Sequence, residues 1–503
     1  MSANFAFVQG LAVAAQNTAD TVAPNATQDT KGQSELLNNL DRLVEQNKRL
    51  EQQNRELMQQ IDALRKLLAP QSSAAATGAA KGTAGTPSTS PTQPKEGDDK
   101  TLLPQAAAGN PAIFGEFNPG RGFTVARGEY GELNLSGYMA ARYLNQLPPT
   151  QTATDHLGRP VPVDPREDFQ FHRVMLFSQG WLFSPKFLYS TFVWTVQDTN
   201  QVAVGGALYY NFGSFMTLGM GWNAYPGTMS LQGSHPYWLS YDRVMADEFF
   251  RPYFSQGIFA KGNILPRLEY RWMIGNNNSN LDVPAVKLDR KLSGGAALTW
   301  LPTTGEFGPR GAFGDFESHS ELATRFNLAY TYSPEDRQAP VGTAAGNTTL
   351  RLSDSLNVFD PGALVNGVTV EKARYQLISA AAGIKYHGLF LQGEGYGRTL
   401  DSFLATGPLP VTVVRDYGFY VQLGYMVVPR EIEIYGATSY IFGQFGDSKE
   451  FIIGGNYYPW NSRNARLNIQ LIDVDRSPVS STFGFYIGQL KGQILSIGVT
   501  GFY

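Results

Sequence analysis

Two patterns of apolar and polar residues divide this chain of 503 residues. Near the N-terminus apolar residues recur every seven positions over five heptads, and from Glu129 onward they alternate with polar residues in segments of about ten residues. A sustained heptad pattern is typical of a coiled coil, whereas a period of two is typical of a strand with one apolar face. The sequence therefore predicts a helical rod followed by an all-β domain.

The heptad segment covers residues 34–69. Ten residues occupy the core positions of a trimeric coiled coil that we expect here: Leu36, Leu40, Leu43, Asn47, Leu50, Asn54, Leu57, Ile61, Leu64 and Leu68. Asn47 and Asn54 fix the register at a cost in stability, and further apolar residues beside the seam favour three or more strands. The alternative is an amphipathic helix packed on its own domain, but the polar flanks offer it no apolar surface.

The segments on either side of the rod are rich in small and polar residues. Residues 1–33 contain one apolar stretch, Phe5–Ala15, and no Lys or Arg precedes Lys31, so we expect either a shortened secretory signal peptide or a flexible N-terminus. Residues 70–112 are rich in Ala, Gly, Ser, Thr and Pro, a composition that cannot bury a core. We therefore predict a disordered linker there, followed by the β domain over residues 113–503.

The alternating segments favour a transmembrane β-barrel over a soluble β-sandwich. Tight connections such as Ser184–Pro185, Val428–Pro429 and Tyr458–Asn461 contrast with long polar ones at 145–168, 275–290 and 333–372, and short turns on one rim with long loops on the other are typical of such barrels. Aromatic residues crowd the strand ends, and the last strand ends on Tyr503. Sixteen strands allow about 24 residues each and eighteen about 22, so sixteen antiparallel strands are preferred and eighteen are the alternative.

Composition removes several other classes. The chain has no cysteine, which excludes disulfide scaffolds and thiol or iron–sulfur chemistry, and a net charge of -3 gives no basic field for nucleic acid. Its five histidines, His156, His172, His235, His319 and His387, are scattered and lie in no nucleophile, metal or phosphate-loop motif. We therefore expect neither an enzyme nor a cofactor.

The polar face of the strands supplies candidate pore-lining charges. By parity these are Arg142, Arg173, Arg267, Glu269, Arg271, Arg325, Glu394, Arg398, Glu431, Glu433 and Arg466. Seven positive charges against four negative ones lean mildly toward anions. The alternative is that Arg–Glu pairs across neighbouring strands only brace the barrel wall.

Six segments resemble the phosphate-selective porin O and P family, in a version that carries an N-terminal coiled coil. They are residues 122–143 (GFTVARGEYGELNLSGYMAARY), 169–183 (FQFHRVMLFSQGWLF), 240–263 (SYDRVMADEFFRPYFSQGIFAKGN), 389–398 (LFLQGEGYGR), 417–436 (YGFYVQLGYMVVPREIEIYG) and 454–474 (GGNYYPWNSRNARLNIQLIDV). The resemblance implies a trimeric outer-membrane channel for small solutes, often anions, with a basic pore and a loop folded into it.

That resemblance points to one segment as the constriction loop. Residues 240–256 carry charges of both signs among aromatic residues, and the candidate constriction charges are Asp242, Arg243, Asp247, Glu248 and Arg251. The alternative is an ordinary outer loop that covers the rim.

Together these observations predict an outer-membrane porin, a homotrimeric, water-filled channel for passive diffusion of small hydrophilic solutes. The coiled coil would lie in the periplasm and lock the trimer, and outer-membrane lipid and ions in transit would be the other partners. The alternative function is structural, with the rod holding the membrane to peptidoglycan or spacing the two apart.

Overall fold

The computed structural model describes residues 122–503 apart from 197–200, 233–236, 279–290, 338–349 and 481–483, together with Glu45, Lys48, Gln52 and Arg55. The chain divides into two units, Met1–Gln93 and Pro94–Tyr503. In the first unit the four described residues are helical and exposed. The ten predicted seam residues lie outside the described part of the chain, so the coiled coil stays a prediction.

The described part of the second unit consists mainly of β-strands. In chain order they are β1 (Phe123–Gly128), β2 (Gly131–Gln146), β3 (Gln151–Thr154), β4 (Pro160–Val163), β5 (Glu167–Leu182), β6 (Ser184–Val196), β7 (Gln201–Asn211), β8 (Thr217–Ala224), β9 (Phe254–Leu265), β10 (Leu268–Gly275), β11 (Ser293–Trp300), β12 (Ala323–Asp336), β13 (Val370–Tyr386), β14 (Leu389–Ala405), β15 (Val413–Val428), β16 (Ile432–Phe442), β17 (Ser448–Tyr457), β18 (Ala465–Asp475) and β19 (Gly492–Phe502). One short helix, α1 (Met245–Phe250), and 3-10 turns at Met229–Leu231, Pro309–Gly311 and Pro459–Asn461 accompany them. Among the described residues, no helix is long and apolar enough to cross a membrane.

Sixteen of the described strands form a closed antiparallel barrel. From β5 to β19 each wall strand pairs with its sequence neighbour, and β2 pairs with β5 on one side and with β19 on the other. Strand β1 pairs with the first residues of β2, before the part of β2 that pairs with β19. Strands β3 and β4 form a separate hairpin. The prediction of sixteen strands is confirmed.

Side chains alternate between the outside and the inside of the wall as the sequence pattern predicts. In β15, Phe419, Val421 and Leu423 are 37–48% exposed, whereas their neighbours Tyr420 and Gln422 are at most 5% exposed. The period of two follows from the pleat, which sends successive side chains to opposite faces. The wall is therefore apolar outside, and its inner face carries most of the polar groups.

The connections differ in length between the two rims. At one end, the short-turn rim, strands are joined by residue 183 and by residues 212–216, 266–267, 301–322, 387–388, 429–431 and 458–464. At the other end, the long-loop rim, the connections include residues 147–166, 225–253, 276–292, 337–369 and 476–491. The tight and long connections predicted from sequence fall on opposite rims as expected, but the 22 residues of 301–322 make an unexpectedly long connection at the short-turn rim.

Candidate channel interior

Nine of the eleven predicted pore-lining residues lie on the inward face of the wall strands. They are Arg142, Arg173, Glu269, Arg271, Arg325, Glu394, Arg398, Glu433 and Arg466. Arg267 and Glu431 differ from the prediction, because both lie in turns at the short-turn rim. Arg267 has a positive φ of 68° and donates to the Pro302 carbonyl at 2.7 Å, and Glu431 donates its backbone N–H to the Val428 carbonyl.

The described residues of the connection 225–253, which we call the first inward segment, fold into the barrel and lie against the inner wall. Arg466 of β18 donates to the Trp238 carbonyl at 2.5 Å, and Asn456 of β17 donates to the Leu239 carbonyl at 2.9 Å. The Tyr241 ring lies so close to Gly498 of β19 that a Cβ there would be 2.2 Å from it. These contacts place the predicted constriction segment inside the lumen.

The five predicted constriction charges are paired, and all of them except the half-buried Glu248 are buried. Asp242 accepts from Arg173 at 3.0 Å, and Arg251 holds Glu248 in a bidentate pair at 2.7 and 2.8 Å. Arg243 is 3.7 Å from Asp247 and stacks on Trp238 at 4.2 Å. Since a buried pair has its charges neutralised by each other, these side chains hold the segment in place and present little net field to the lumen.

Helix α1 brings the first inward segment against β13–β17. The Met245 N–H donates to Glu450 at 2.8 Å, and Tyr375 of β13 donates to the Phe250 carbonyl at 2.7 Å. Arg398 of β14 is 1% exposed, pairs with Asp416 at 2.6 Å and stacks on Phe249 at 4.0 Å. Arg398 was predicted to line the pore, but its contacts enclose it between the wall and α1.

The connection 301–322, the second inward segment, also folds inward, from the short-turn rim. Lys385 of β13 donates to the Phe307 carbonyl at 2.9 Å, and Arg325 of β12 donates to the Gly311 carbonyl at 2.7 Å. Arg325 also lies over the Phe307 ring at 4.0 Å. An inward fold of this segment was not predicted, although its length at a rim of tight turns was a usable signal.

One group of inward charges stays partly open to the lumen. Lys261 and Arg271 are direct cross-strand partners on β9 and β10, and Glu269 lies two residues from Arg271 on the same face. Arg310 of the second inward segment lies within electrostatic range of Lys261 and Arg271. All four side chains are half-buried. Three cations and one carboxylate therefore lie half-buried in the interior. Lys261 and Arg310 were not predicted to line the pore, because Arg310 lies in a connection, where strand parity does not apply, and Lys261 lies just after residues 240–256, which were assigned to the constriction.

The second inward segment contains the one group of metal-ligand residues that the described part of the chain brings together. Asp315, Glu317 and His319 place ligand atoms within 4.8 Å of one another. Both ring nitrogens of His319 contact carboxylates, those of Asp315 and, at 2.9 Å, Glu306. Glu317 pairs with an arginine at 3.1 Å. Protein cations therefore already pair with these carboxylates, and the group fastens the second inward segment.

The hydrogen bonds that His319 makes in this group also shift its pKa. Burial lowers the pKa, but the hydrogen bonds to Asp315 and Glu306 outweigh burial and raise it to about 9. The hydrogen bond from His319 in turn lowers the pKa of Glu306. The Asp315 carboxylate also accepts the Gly388 N–H at 2.8 Å, which ties the segment to the turn between β13 and β14.

No protein-family model matches the sequence, and no curated protein matches it. Solved structures to which the chain is similar include the outer-membrane expressed OmpT of Vibrio cholerae (10% identity, TM-score 0.45, covering 75% of this chain and 99% of that one). They also include the outer membrane channel DcaP of Acinetobacter baumannii (10%, 0.46, 76% and 99%) and an anion-selective porin from Comamonas acidovorans (10%, 0.44, 74% and 100%). The resemblance to the phosphate-selective porin O and P family stays a prediction.

Proposed function

We propose that this chain forms a water-filled channel in a bacterial outer membrane, through which small hydrophilic solutes diffuse passively. The observation that carries the proposal is that the barrel wall is apolar on the outside and polar on the inside. Large apolar side chains such as Ile453 (68% exposed) and Ile469 (55%) face outward, while Arg466, Asn468 and Gln470 of β18 face inward. In a closed barrel each wall strand is hydrogen-bonded to a neighbour on both sides, and with an apolar exterior such a barrel can lie in lipid.

The lumen is narrowed from both rims in this proposal. The first inward segment enters from the long-loop rim and the second from the short-turn rim, and the half-buried charges lie between them: Arg271 donates to the Gln232 carbonyl of the first segment, and Arg310 belongs to the second. Lys261, Arg271 and Arg310 outnumber Glu269 at this place by two charges. Because the other lumen charges named above are mostly paired and buried, this group sets a preference for small anions.

We also propose that three copies assemble and that the predicted coiled coil locks them in the periplasm. The supporting observation is the heptad pattern of residues 34–69, and the exposed helical residues Glu45, Lys48, Gln52 and Arg55 fall at heptad positions away from that seam. Cross-linking of the full chain in membranes, compared with a deletion of residues 34–69, tests this part. A trimer that survives the deletion with unchanged stability would refute the locking role.

Reversal potentials of the purified protein in planar bilayers under a potassium chloride gradient test the channel and its preference together. We expect discrete conductance steps and a reversal potential whose sign shows that chloride is more permeant than potassium. The variant Arg271→Gln should shift that potential toward zero, whereas the matched variant Lys186→Gln, at an exposed lysine on the short-turn rim, should leave it unchanged. Absence of steps would refute the channel, and a cation preference would refute the selectivity.

A further inference from the structure

The two inward segments touch each other inside the barrel. The Phe313 N–H of the second segment donates to the Tyr237 carbonyl of the first at 2.8 Å. The two segments enter from opposite rims and are separated in sequence by β9, β10 and β11. A contact between them therefore spans part of the lumen, and anything that loosens it changes the interior from both ends.

One arginine holds both sides of this contact. Arg463 lies in the turn 458–464 at the short-turn rim, and its side chain is 9% exposed. It pairs with Glu317, with Nε 3.1 Å from one carboxylate oxygen and Nη2 donating to the other at 3.2 Å, and it donates to the carbonyls of Phe313 and Gly314 at 3.4 and 3.3 Å. Planar, forked donors suit such a set of oxygens better than a lysine ammonium does.

The same guanidinium also contacts the first inward segment. It lies 5.3 Å from the centre of the Tyr237 ring and 4.9 Å from that of Phe316 in the second segment. Tyr237 packs in turn on Phe502 of β19, with ring centres 5.3 Å apart. Arg463 thus joins the two inward segments near β19, the strand that closes the barrel.

Polar contacts hold one side of the second segment, and on the other side Phe316 packs on Tyr458, with ring centres 5.0 Å apart. Lys385, Arg325 and the His319 group attach it to β12, β13 and the turn after β13. Arg463 comes from the far side of that segment, between β17 and β18. Loss of Arg463 would remove its ion pair and its carbonyl contacts on that side and leave the packing of Phe316 on Tyr458 there, so the segment would be held more loosely.

We propose that residues 301–322 form a second gate of the channel, entered from the short-turn rim, and that Arg463 is the positioning residue that locks this gate to the first inward segment. The inference rests on the proposed channel function. With the lock in place the two segments act as one partition; without it the second segment is held more loosely, and the conductance rises and fluctuates.

Single-channel recordings of the full-length protein test the lock. The variants are Arg463→Gln, Arg463→Lys and, as a matched control, Arg127→Gln, which removes an arginine paired with Glu132 at 3.4 Å on β1. We expect Arg463→Gln to raise the mean conductance and the open-channel noise, Arg463→Lys to do so less, and Arg127→Gln to match the wild type. Urea unfolding in vesicles accompanies each variant, because a variant that merely unfolds would lose channels and would not give noisier ones.

The outcomes separate this inference from the channel function itself. If the wild-type protein gives no conductance steps, the proposed function fails. If it gives steps and folded Arg463→Gln gives the same conductance and noise, the channel stands and the second gate is refuted.

A disulfide gives a second, reversible test, because the chain has no cysteine of its own. The double variant Tyr237→Cys/Phe313→Cys joins the two segments where their backbones meet. We expect the oxidised form to conduct quietly at a low level and the reduced form of the same protein to be noisier and more conductive. Equal recordings before and after reduction of a disulfide verified by mass would overturn the proposal.

Discussion

The buried pair Arg398–Asp416 allows a quantitative test of how the inner wall is stabilised. The two side chains are 1% and 0% exposed. Arg398 donates to Asp416 at 2.6 and 3.2 Å and also to the carbonyls of Arg351 at 2.7 Å and Phe249 at 3.4 Å. Asp416 accepts one further hydrogen bond, from the Gln444 N–H at 3.1 Å. The partners that remain after each single substitution are therefore unequal.

The expected costs follow from those remaining partners. Breaking a buried ion pair by removing one partner costs roughly 3–5 kcal/mol, because the other charge is left without compensation. In Asp416→Leu the guanidinium keeps two carbonyls and the Phe249 ring, so we expect a loss of about 3 kcal/mol in the free energy of unfolding. In Arg398→Met the carboxylate keeps one N–H, so we expect about 5 kcal/mol. The double variant should cost less than either single variant, since it buries no unpaired charge.

Equilibrium urea unfolding in phospholipid vesicles, followed by tryptophan fluorescence and by the mobility of folded protein on gels, measures all four proteins. The double-mutant cycle gives the coupling energy, which these costs place above about 5 kcal/mol in favour of the pair. Costs below about 1 kcal/mol for both single variants would show that water reaches the pair. A double variant that costs the sum of the singles would refute the reasoning, because the two charges would then not compensate each other.

Three further predictions use the same material. Leu423→Arg, on the outward face of β15, should lower the free energy of unfolding in vesicles by about 2–4 kcal/mol more than Leu423→Ala does, and equal costs would contradict a lipid-facing belt. Gly498→Val should displace the Tyr241 ring and change the single-channel conductance while the barrel still folds; an unchanged conductance would contradict the packing. Because the pKa of His319 is raised from 6.5 to about 9, its stabilising contribution is full below about pH 6.5 and is lost as the pH rises through 9. Channel noise should therefore increase toward pH 10, and His319→Gln should abolish that pH dependence.

The sequence was sufficient for the wall because each strand repeats one simple rule. Leu133 and Leu135 face outward and Asn134 and Ser136 inward, and the same parity places nine predicted charges on the inner face. Parity fails at turns, where the backbone leaves the pleat. Arg267 shows this, because its positive φ takes it out of the strand pattern.

The contacts of the interior could not be predicted in this way, because they join residues far apart in the chain. Nothing local in the sequence shows that Arg173 meets Asp242 or that Arg463 reaches Glu317. Burial also changes what a charge does: Arg398 has the correct parity for a pore residue, but it is enclosed by α1. A parity rule assigns a side, whereas exposure to a solute depends on what fills the lumen.

The pairing of β19 with β2 has a consequence for how this chain folds. Ile494 pairs with Gln146, and Tyr503 exchanges both backbone hydrogen bonds with Gly137. Closure of the barrel therefore pairs its first wall strand with its last. Pairings of such large sequence separation are slow to form. Until β19 arrives, the growing sheet has two unpaired edges that invite aggregation. Wall closure therefore waits for β19, and a chain without Gly492–Phe502 would remain an open sheet.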